Sequence, residues 1–297
     1  MTRVICCGQI VMDHSFMVDE FESPPSKVTA RRYNAAVGGM SAQAAIAVAR
    51  LGGEAVFWGR IGDDAAGETL AEAMAAEGVN IDGLKRFEGA RTPLSAVIID
   101  KRGERSIVTY RGDGLSVDTG WLPLDGLDGA GAVLCDPRWQ VGTAAVFQAA
   151  RARGVPSVLD VEKSEMRVLL DLVPLADHAI FAAPGLRIFA GVKEAAEGLR
   201  RALASGPLKL AAVTRGEDGT LWLQPGETQP RTTPAFRVSA TNTTGAGDVF
   251  HGAYALAIAE GQAVEVALRF ASAAGALRAR DGETPDRAAV EAMLSEA

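Results

Sequence analysis

The chain has 297 residues, of which 48% are hydrophobic, and carries a formal net charge of −7. This is enough chain for one large core. Scattered basic residues argue against a nucleic-acid surface, and no apolar run approaches the ~20 residues of a membrane span. Three cysteines without a CxxC pair predict neither a disulfide framework nor a zinc site, and no signal-peptide pattern opens the chain. We therefore expect a cytoplasmic protein.

Short β-rich runs alternate with helical patterns along most of the chain. Strands are predicted at residues 3–8, 55–62, 132–136, 156–161, 178–182, 210–214 and 220–223. Helices are predicted at residues 41–51, 66–77, 142–153, 193–204, 246–260 and 263–279. Several strands are apolar throughout, as strands covered on both faces must be. The alternation predicts an α/β fold with a mostly parallel sheet and right-handed crossovers.

Two segments, at about 14–36 and 92–111, break this alternation. Both carry alternating polar and apolar residues with no helix between them, which predicts antiparallel strands. The sequence DKRGE at 100–104 is typical of a hairpin turn. We expect residues 1–297 to form a single domain into which the two segments are inserted as a small β-sheet lid.

A glycine-rich turn leads directly into an apolar helix at TTGAGDVFHGAYALAIA. The residues Gly245, Ala246 and Gly247 lack bulky side chains, so their backbone N–H groups can point at a ligand. The start of the helix favours an anion such as phosphate. Asp248, in the first turn, is expected to stay ionised and to accept a proton from a hydroxyl group. This arrangement suits phosphoryl transfer to an alcohol, but a capped helix with structural glycines would have the same sequence.

A second glycine-rich block, VGGMSAQAAIAVARLGGEAVFWGRIGDDAAG (37–67), lies about two hundred residues upstream. Together with NTTGAGDVFHGAYA (242–255) and VTRGEDG (213–219), it makes the chain resemble the ribokinase (PfkB) family of carbohydrate kinases over essentially its whole length. The resemblance implies a three-layer α/β/α body with a β-lid over the sugar. It also implies ATP as the phosphoryl donor, with Mg²⁺ bridging its phosphates.

Roles for individual residues follow from the same resemblance. Asp248 becomes the base that deprotonates a sugar hydroxyl. The anion hole for the transferring phosphoryl group falls on Gly245, Ala246 and Gly247. Contacts to the sugar fall on Asp13, Gly38, Gly39 and Gln43. Contacts to the nucleotide fall on Thr214, Gly216 and Gly219.

Three departures from the family pattern bear on this site. Gln43 stands where the family usually has Asn, and its amide has a longer reach. Asn242 stands where an Asp associated with a monovalent-cation site is usual, so cation dependence is doubtful. The family's N-x-x-E element, which helps to organise Mg²⁺, falls on AAPG (182–185). Asp160 or Glu162 is then expected to serve in its place.

Within the family, the stretches VICCGQIVMDHSFMVDEF, VLCDPRWQVG (133–142) and ADHAIFAAPGL (176–186) are most similar to kinases of 6-deoxy-6-sulfofructose. That similarity implies sulfonate contacts at Lys27 and Arg138, and a third at Thr109, where Asn is expected. Taken alone, Lys27 is typical of a solvated edge-strand charge and Arg138 of an ion pair. A hydroxyl at Thr109 can still donate one hydrogen bond.

These observations predict transfer of the γ-phosphate of ATP to a primary hydroxyl of an anionic ketose such as 6-deoxy-6-sulfofructose. The alternatives are a kinase of a phosphorylated ketose, a neutral-sugar kinase of ribokinase or fructokinase type, and a silent sugar-binding module. No nucleic-acid or membrane partner is expected. The strand edges of the lid predict a homodimer that pairs through it.

Overall fold

The computed structural model describes residues 1–21 and 27–296. In chain order the strands are β1 (Arg3–Cys7), β2 (Val11–Met17), β3 (Arg32–Gly38), β4 (Glu54–Gly62), β5 (Asn80–Phe87), β6 (Leu94–Ile99), β7 (Arg105–Tyr110), β8 (Ala132–Cys135), β9 (Ser157–Val161), β10 (His178–Ala182), β11 (Leu210–Thr214), β12 (Thr220–Leu223) and β13 (Arg231–Thr233). The helices are α1 (Met40–Arg50), α2 (Ala65–Ala76), α3 (Gln140–Arg153), α4 (Met166–Leu172), α5 (Ala183–Ala190), α6 (Ala195–Ala204), α7 (Ala246–Ala259), α8 (Val264–Asp281) and α9 (Arg287–Ser295).

The central sheet has nine strands in the order β13-β12-β11-β10-β9-β8-β1-β4-β5. Its pairs are parallel except that β12 is antiparallel to β11 and β13 is antiparallel to β12. Strands such as β8 and β9 are buried along their whole length because helices cover both faces. Successive residues of β1 enter different clusters: Val4 and Cys6 pack with α1, α7 and α8, whereas Ile5 and Cys7 pack with α3 and α6. The predicted three-layer α/β/α architecture is confirmed.

A separate sheet of four strands, in the order β3-β2-β6-β7, is built from the segments that interrupt the alternation. The pairs β2–β3 and β6–β7 are antiparallel, as predicted, but β2 and β6 pair in parallel. The prediction of antiparallel strands alone was therefore wrong at this junction. At the predicted hairpin, the carboxylate of Asp100 accepts hydrogen bonds from the N–H groups of Arg102 (2.8 Å) and Glu104 (2.9 Å). Local capping by one buried acid thus fixes this turn.

The carboxyl ends of the parallel strands β1, β8, β9 and β10 meet along one edge of the central sheet, where α/β proteins usually bind ligands. Helix α7 packs against both α1 and α8. A Cβ on Gly252 of α7 would collide with the carbonyl oxygen of Ala44 of α1, so glycine allows the two backbones to approach closely. Among the described residues, none of the helices combines the length and apolar character that a bilayer crossing requires.

Candidate active site

The glycine-rich turn lies where the chain enters α7. Gly245 has a φ of 75°, in the left-handed region that favours glycine, and is the N-cap of the helix. The N–H of Ala246 donates to the carbonyl of Thr243 (3.3 Å), whereas no acceptor among the described residues serves the N–H groups of Gly247 and Asp248. A Cβ on Gly247 would meet no atom within 4 Å, so the space beside these donors is open. Free donors at a helix N-terminus are suited to an anion.

Asp248 lies in the first turn of α7, beside a group of acids. Burial has the largest effect on its carboxyl group and raises the pKa. The carboxylates of Asp160, Glu162 and Asp136 raise it further and His251 lowers it, so that the pKa is about 8. The expectation that the helix end keeps Asp248 ionised is therefore wrong for the ligand-free chain at neutral pH. A base whose pKa lies near the working pH is well matched to take a proton from a hydroxyl group.

His251, one turn further along α7, connects the anion-binding turn to the central sheet. Its Nδ1 lies 2.7 Å from the carbonyl oxygen of Gly247 and 3.4 Å from Oδ2 of Asp160, and its Nε2 lies 3.3 Å from the carbonyl oxygen of Ile180. Burial lowers the pKa of His251. The short contact indicates that Nδ1 carries a proton and donates it in a hydrogen bond to the carbonyl oxygen of Gly247. The ring thereby fixes the turn against β9 and β10.

The residues expected to contact the sugar begin at the base of the lid. Asp13 on β2 accepts a hydrogen bond from Ser95 Oγ on β6, and a Cβ on Gly38 would collide with the Asp13 carboxylate. Asp13 pairs with Ser95 and Ser95 with Thr109, so the three side chains share one face of the lid. Burial raises the pKa of Asp13, and the hydrogen bond from Ser95 lowers it by less.

Gly39 and Gln43 connect this part of the lid to α1. Gly39 has a φ of 97° and lies so close to the carbonyl of Gln9 that no Cβ would fit. Gln43, within the first turn of α1, donates its Nε2–H to the carbonyl oxygen of Val37 at the end of β3. The amide that replaces the family's usual Asn therefore holds β3 against α1.

Arg138 follows β8 and lines a cavity of about 620 Å³. Three more cations line the same cavity, none of them singled out from the sequence: Arg60, Arg111 and Lys163. Within the part of the chain that the structure describes, none of the four cations forms an ion pair. Glu162, one of the carboxylates that act on Asp248, also lines the cavity, which links it to the acid group.

Arg60 is the most constrained of these cations. Its Cζ lies 4.3 Å from the ring centroid of Trp139, and its Nη1 donates to the carbonyl of Ser116 (2.8 Å). Burial lowers its pKa, and Trp139 is only 2% exposed. The indole Nε1 of Trp139 is buried with no hydrogen-bond partner among the described residues. An aromatic platform thus holds one guanidinium at the cavity wall.

The other two residues expected at the anionic group of the sugar do not line this cavity. Lys27 is exposed in the connection between β2 and β3, beside the undescribed residues 22–26. Thr109 is exposed on the lid face that it shares with Asp13. The lid reaches the turn through Arg105, whose Nη2 donates to Thr243 Oγ1 (3.1 Å) and Asn242 Oδ1 (3.3 Å).

A second cavity, of about 510 Å³, lies at the ends of β10 and β11. Thr214 and Gly216 line it, as expected for nucleotide contacts, and three cations line it as well: Arg187, Lys193 and Arg215. Gly219 does not line it; a Cβ there would collide with the carbonyl oxygen of Thr233, so this glycine lets the chain turn back into β12. Two acids, Glu194 and Asp218, line it too, so the cations exceed the acids by one. A partly apolar cavity with several cations suits a nucleotide polyphosphate.

The carboxylates beside Asp248 fit a hard cation that binds together with phosphate oxygens. Asp160 and Glu162 offer the oxygen donors that Mg²⁺ prefers, and burial with Glu162 close by raises the pKa of Asp160. A Cβ on Gly185, at the last position of the family's N-x-x-E element, would collide with the carbonyl oxygen of Val161. The described residues contain no group of three acidic, histidine or cysteine side chains placed to hold a metal ion. These donors therefore suit a metal shared with the nucleotide.

Comparison with known proteins places the chain in a family. The profile of the pfkB family carbohydrate kinases matches residues 1–287. The ribokinase of Bacillus subtilis is 28% identical over 99% of this chain and 100% of its own. Among solved structures, a putative ribokinase from Agrobacterium tumefaciens is 33% identical with a TM-score of 0.94 and 99% and 98% coverage. Ribokinase of Arabidopsis thaliana, complexed with ribose and ATP, is 26% identical with a TM-score of 0.85 and 99% and 98% coverage. This chain therefore belongs to the pfkB family of ATP-dependent carbohydrate kinases.

Proposed function

We propose that this kinase phosphorylates a primary hydroxyl of an anionic ketose, such as 6-deoxy-6-sulfofructose, to give the 1-phosphate. One observation carries the proposal: four cations line one cavity and form no ion pair among the described residues, namely Arg60, Arg111, Arg138 and Lys163. Glu162 and Glu165 line the cavity too, but the four cations outnumber them and none is paired within the described residues, so an anionic group on the substrate would lower the cost of keeping these cations close together. Sulfonate and phosphate both suit arginine and lysine.

The proposed reaction uses the turn at the start of α7 and the base of the lid. The sugar hydroxyl attacks the γ-phosphorus, a new P–O bond forms, and the bond to the oxygen that bridges to the β-phosphate breaks. Asp248 takes the hydroxyl proton and later releases it to solvent. The backbone N–H groups of Gly245, Gly247 and Asp248 donate hydrogen bonds to the phosphoryl oxygens and stabilise their negative charge. Asp13 and Gly38 hold the sugar at the base of the lid.

Asp160 and Glu162 would hold the Mg²⁺ that accompanies ATP in this proposal. When bound, the ion neutralises charge on the phosphates and orients them. Before the ion binds, the two side chains place negative charge next to Asp248 and raise its pKa; the bound ion would offset that charge.

A neutral sugar is the second candidate, since the relatives described above are ribokinases and Lys27 does not line the cationic cavity. An ADP-release assay with 6-deoxy-6-sulfofructose, fructose 6-phosphate, tagatose 6-phosphate, fructose and ribose distinguishes the two. We expect Arg138→Ala to lower kcat/KM by about 100-fold for anionic ketoses and by less than about threefold for fructose.

Arg200→Ala is the matched control because Arg200 is exposed on α6 and lines neither cavity. Its kcat/KM should stay within about twofold of the wild-type value for every sugar. A wild-type enzyme that prefers fructose or ribose, or an equal effect of Arg138→Ala on charged and neutral sugars, would reject the anionic substrate.

We also propose that the kinase works in the cytoplasm, where ATP is available, as a homodimer that pairs through the lid. Arg105, Thr109 and Asp13 lie on the inner face of the lid, so alternate residues lie on its outer face. That outer face exposes Tyr33 (59%) and Val108 (67%), two large apolar side chains. A second copy that covers them would remove this apolar surface from water.

A further inference from the structure

Arg278 of α8 lies directly against the turn that begins α7. Its Nη2, Nε and Cζ atoms lie 3.5, 3.6 and 3.8 Å from the position that a Cβ on Gly245 would take. Because Gly245 is in the left-handed conformation and has no side chain, the guanidinium can pack on the backbone of the turn. A cation is thus placed beside the free N–H groups of the anion hole.

Close packing of α8 on α7 brings Arg278 to this place. Gly275 lies three residues earlier on the same face of α8, and its missing Cβ would be 3.0 Å from the carbonyl oxygen of Ala246. A larger residue at 275 would push α8 away from the first turn of α7. The glycine therefore sets the distance from which Arg278 reaches the turn.

The guanidinium of Arg278 is partly buried and incompletely paired. Its Nη1 is buried and donates to no group among the described residues, which show no ion pair for this side chain. Burial lowers the pKa of Arg278, Asp248 raises it, and the second guanidinium, that of Arg105, lowers it. A buried donor without an acceptor is costly, and a second cation nearby adds to the cost. An anion at the turn would offset both.

We propose that Arg278 is a catalytic residue that binds the γ-phosphoryl group while it is transferred. This inference rests on the proposed function, which places that group at the anion hole. Negative charge spreads over the three equatorial phosphoryl oxygens as the bond to ADP breaks and the bond to the sugar forms. A planar guanidinium can donate two parallel hydrogen bonds to such oxygens, and it stays protonated while Asp248 receives the hydroxyl proton.

The test compares Arg278→Ala, Arg278→Lys and Arg280→Ala in the full-length chain. Arg280 is on the same helix, exposed and paired with Asp281, so its variant has the same change of charge outside the site. With a sugar that the wild type phosphorylates, Arg278→Ala should lower kcat by about 10²–10³-fold and change the sugar KM by less than about threefold. Arg278→Lys should lose about tenfold, because it keeps the charge but not the fork, and Arg280→Ala less than about twofold.

A binding measurement makes the result independent of turnover. Measured by calorimetry, Arg278→Ala should raise the Kd of a non-hydrolysable ATP analogue by about tenfold and the Kd of ADP by less than about twofold. Only the analogue carries a γ-phosphoryl group. Turnover by Arg278→Ala within about threefold of wild type, or equal losses for both nucleotides, would overturn the proposal. If the wild type phosphorylates none of the sugars, the proposed substrate fails, and the two-nucleotide comparison still decides the role of Arg278. Should Arg278→Ala unfold, the same comparison on Arg278→Lys decides it.

Discussion

Two opposing influences act on the pKa of Asp248. The start of α7 favours the ionised form, whereas burial and the neighbouring carboxylates favour the protonated form. The second influence is larger and raises the pKa to about 8. A carboxyl group whose pKa is raised in this way would have to lose its proton before it could accept one from a hydroxyl group.

This pKa predicts the pH dependence of the reaction. As the pH rises toward about 8, the ionised fraction of Asp248 rises, so kcat/KM should increase by about tenfold per pH unit and level off above the pKa. Asp160→Asn removes the neighbouring carboxylate that contributes most, so the inflection should move to lower pH even if the rate falls. Steady-state rates between about pH 6 and about pH 10, which is about two units on either side of the transition, check both. An inflection that is the same in both proteins would contradict this account of Asp248.

The sequence could single out Asp248 as the candidate base because a motif of adjacent residues carries it. It could not show the ionisation of Asp248, which depends on Asp160, almost ninety residues earlier and brought beside it only by the fold. The cations Arg60 and Arg111 were missed for a similar reason. Each is a single charge at a strand, and only the assembled cavity shows that both face the same space as Arg138.

Periodicity predicted the strands and helices with strong patterns and missed those with weak ones. The central strands β1, β8, β9, β10 and β11 were predicted because apolar runs between turns mark buried parallel strands. Strand β5 (NIDGLKRF) was missed because its edge position leaves it partly polar, and α4 was missed because seven residues show less than two helical turns. Pairing partners such as β2 and β6 are not encoded in either strand alone.

The contact between β7 and the anion-binding turn predicts how the enzyme responds to monovalent cations. The Oδ1 of Asn242 accepts hydrogen bonds from the N–H of Thr244 (3.0 Å) and from Arg105 Nη2 (3.3 Å), and the amide carries no charge. The Arg105 guanidinium already lies beside Asn242, and the Asn242 side chain offers no carboxylate to bind a monovalent cation. Rates in KCl, NaCl and choline chloride at equal ionic strength should agree within about twofold. Stimulation of several-fold by K⁺ alone would show that backbone oxygens form the cation site without the Asp.

The chain carries a net charge of −7, yet cations outnumber acids around each of the two cavities. The acidic exterior favours solubility, whereas the local cations suit the phosphates of a nucleotide and, under the proposal above, an anionic sugar. The inner face of the lid carries Asp13 and Arg105, and its outer face exposes Tyr33 and Val108. Under the proposed pairing, contact between two lids would stabilise the small sheet at whose base Asp13 lies.

Sedimentation velocity tests that pairing. We expect the wild type to sediment with twice the mass of the chain at micromolar concentration. Tyr33→Glu with Val108→Glu should give the monomer, because burying two unpaired carboxylates in an apolar interface is strongly unfavourable. Leu170→Glu is the matched control: Leu170 is 49% exposed on α4, outside the lid, and its variant should remain a dimer. A monomeric wild type, or a double variant that remains dimeric, would show that the outer face of the lid does not hold two copies together.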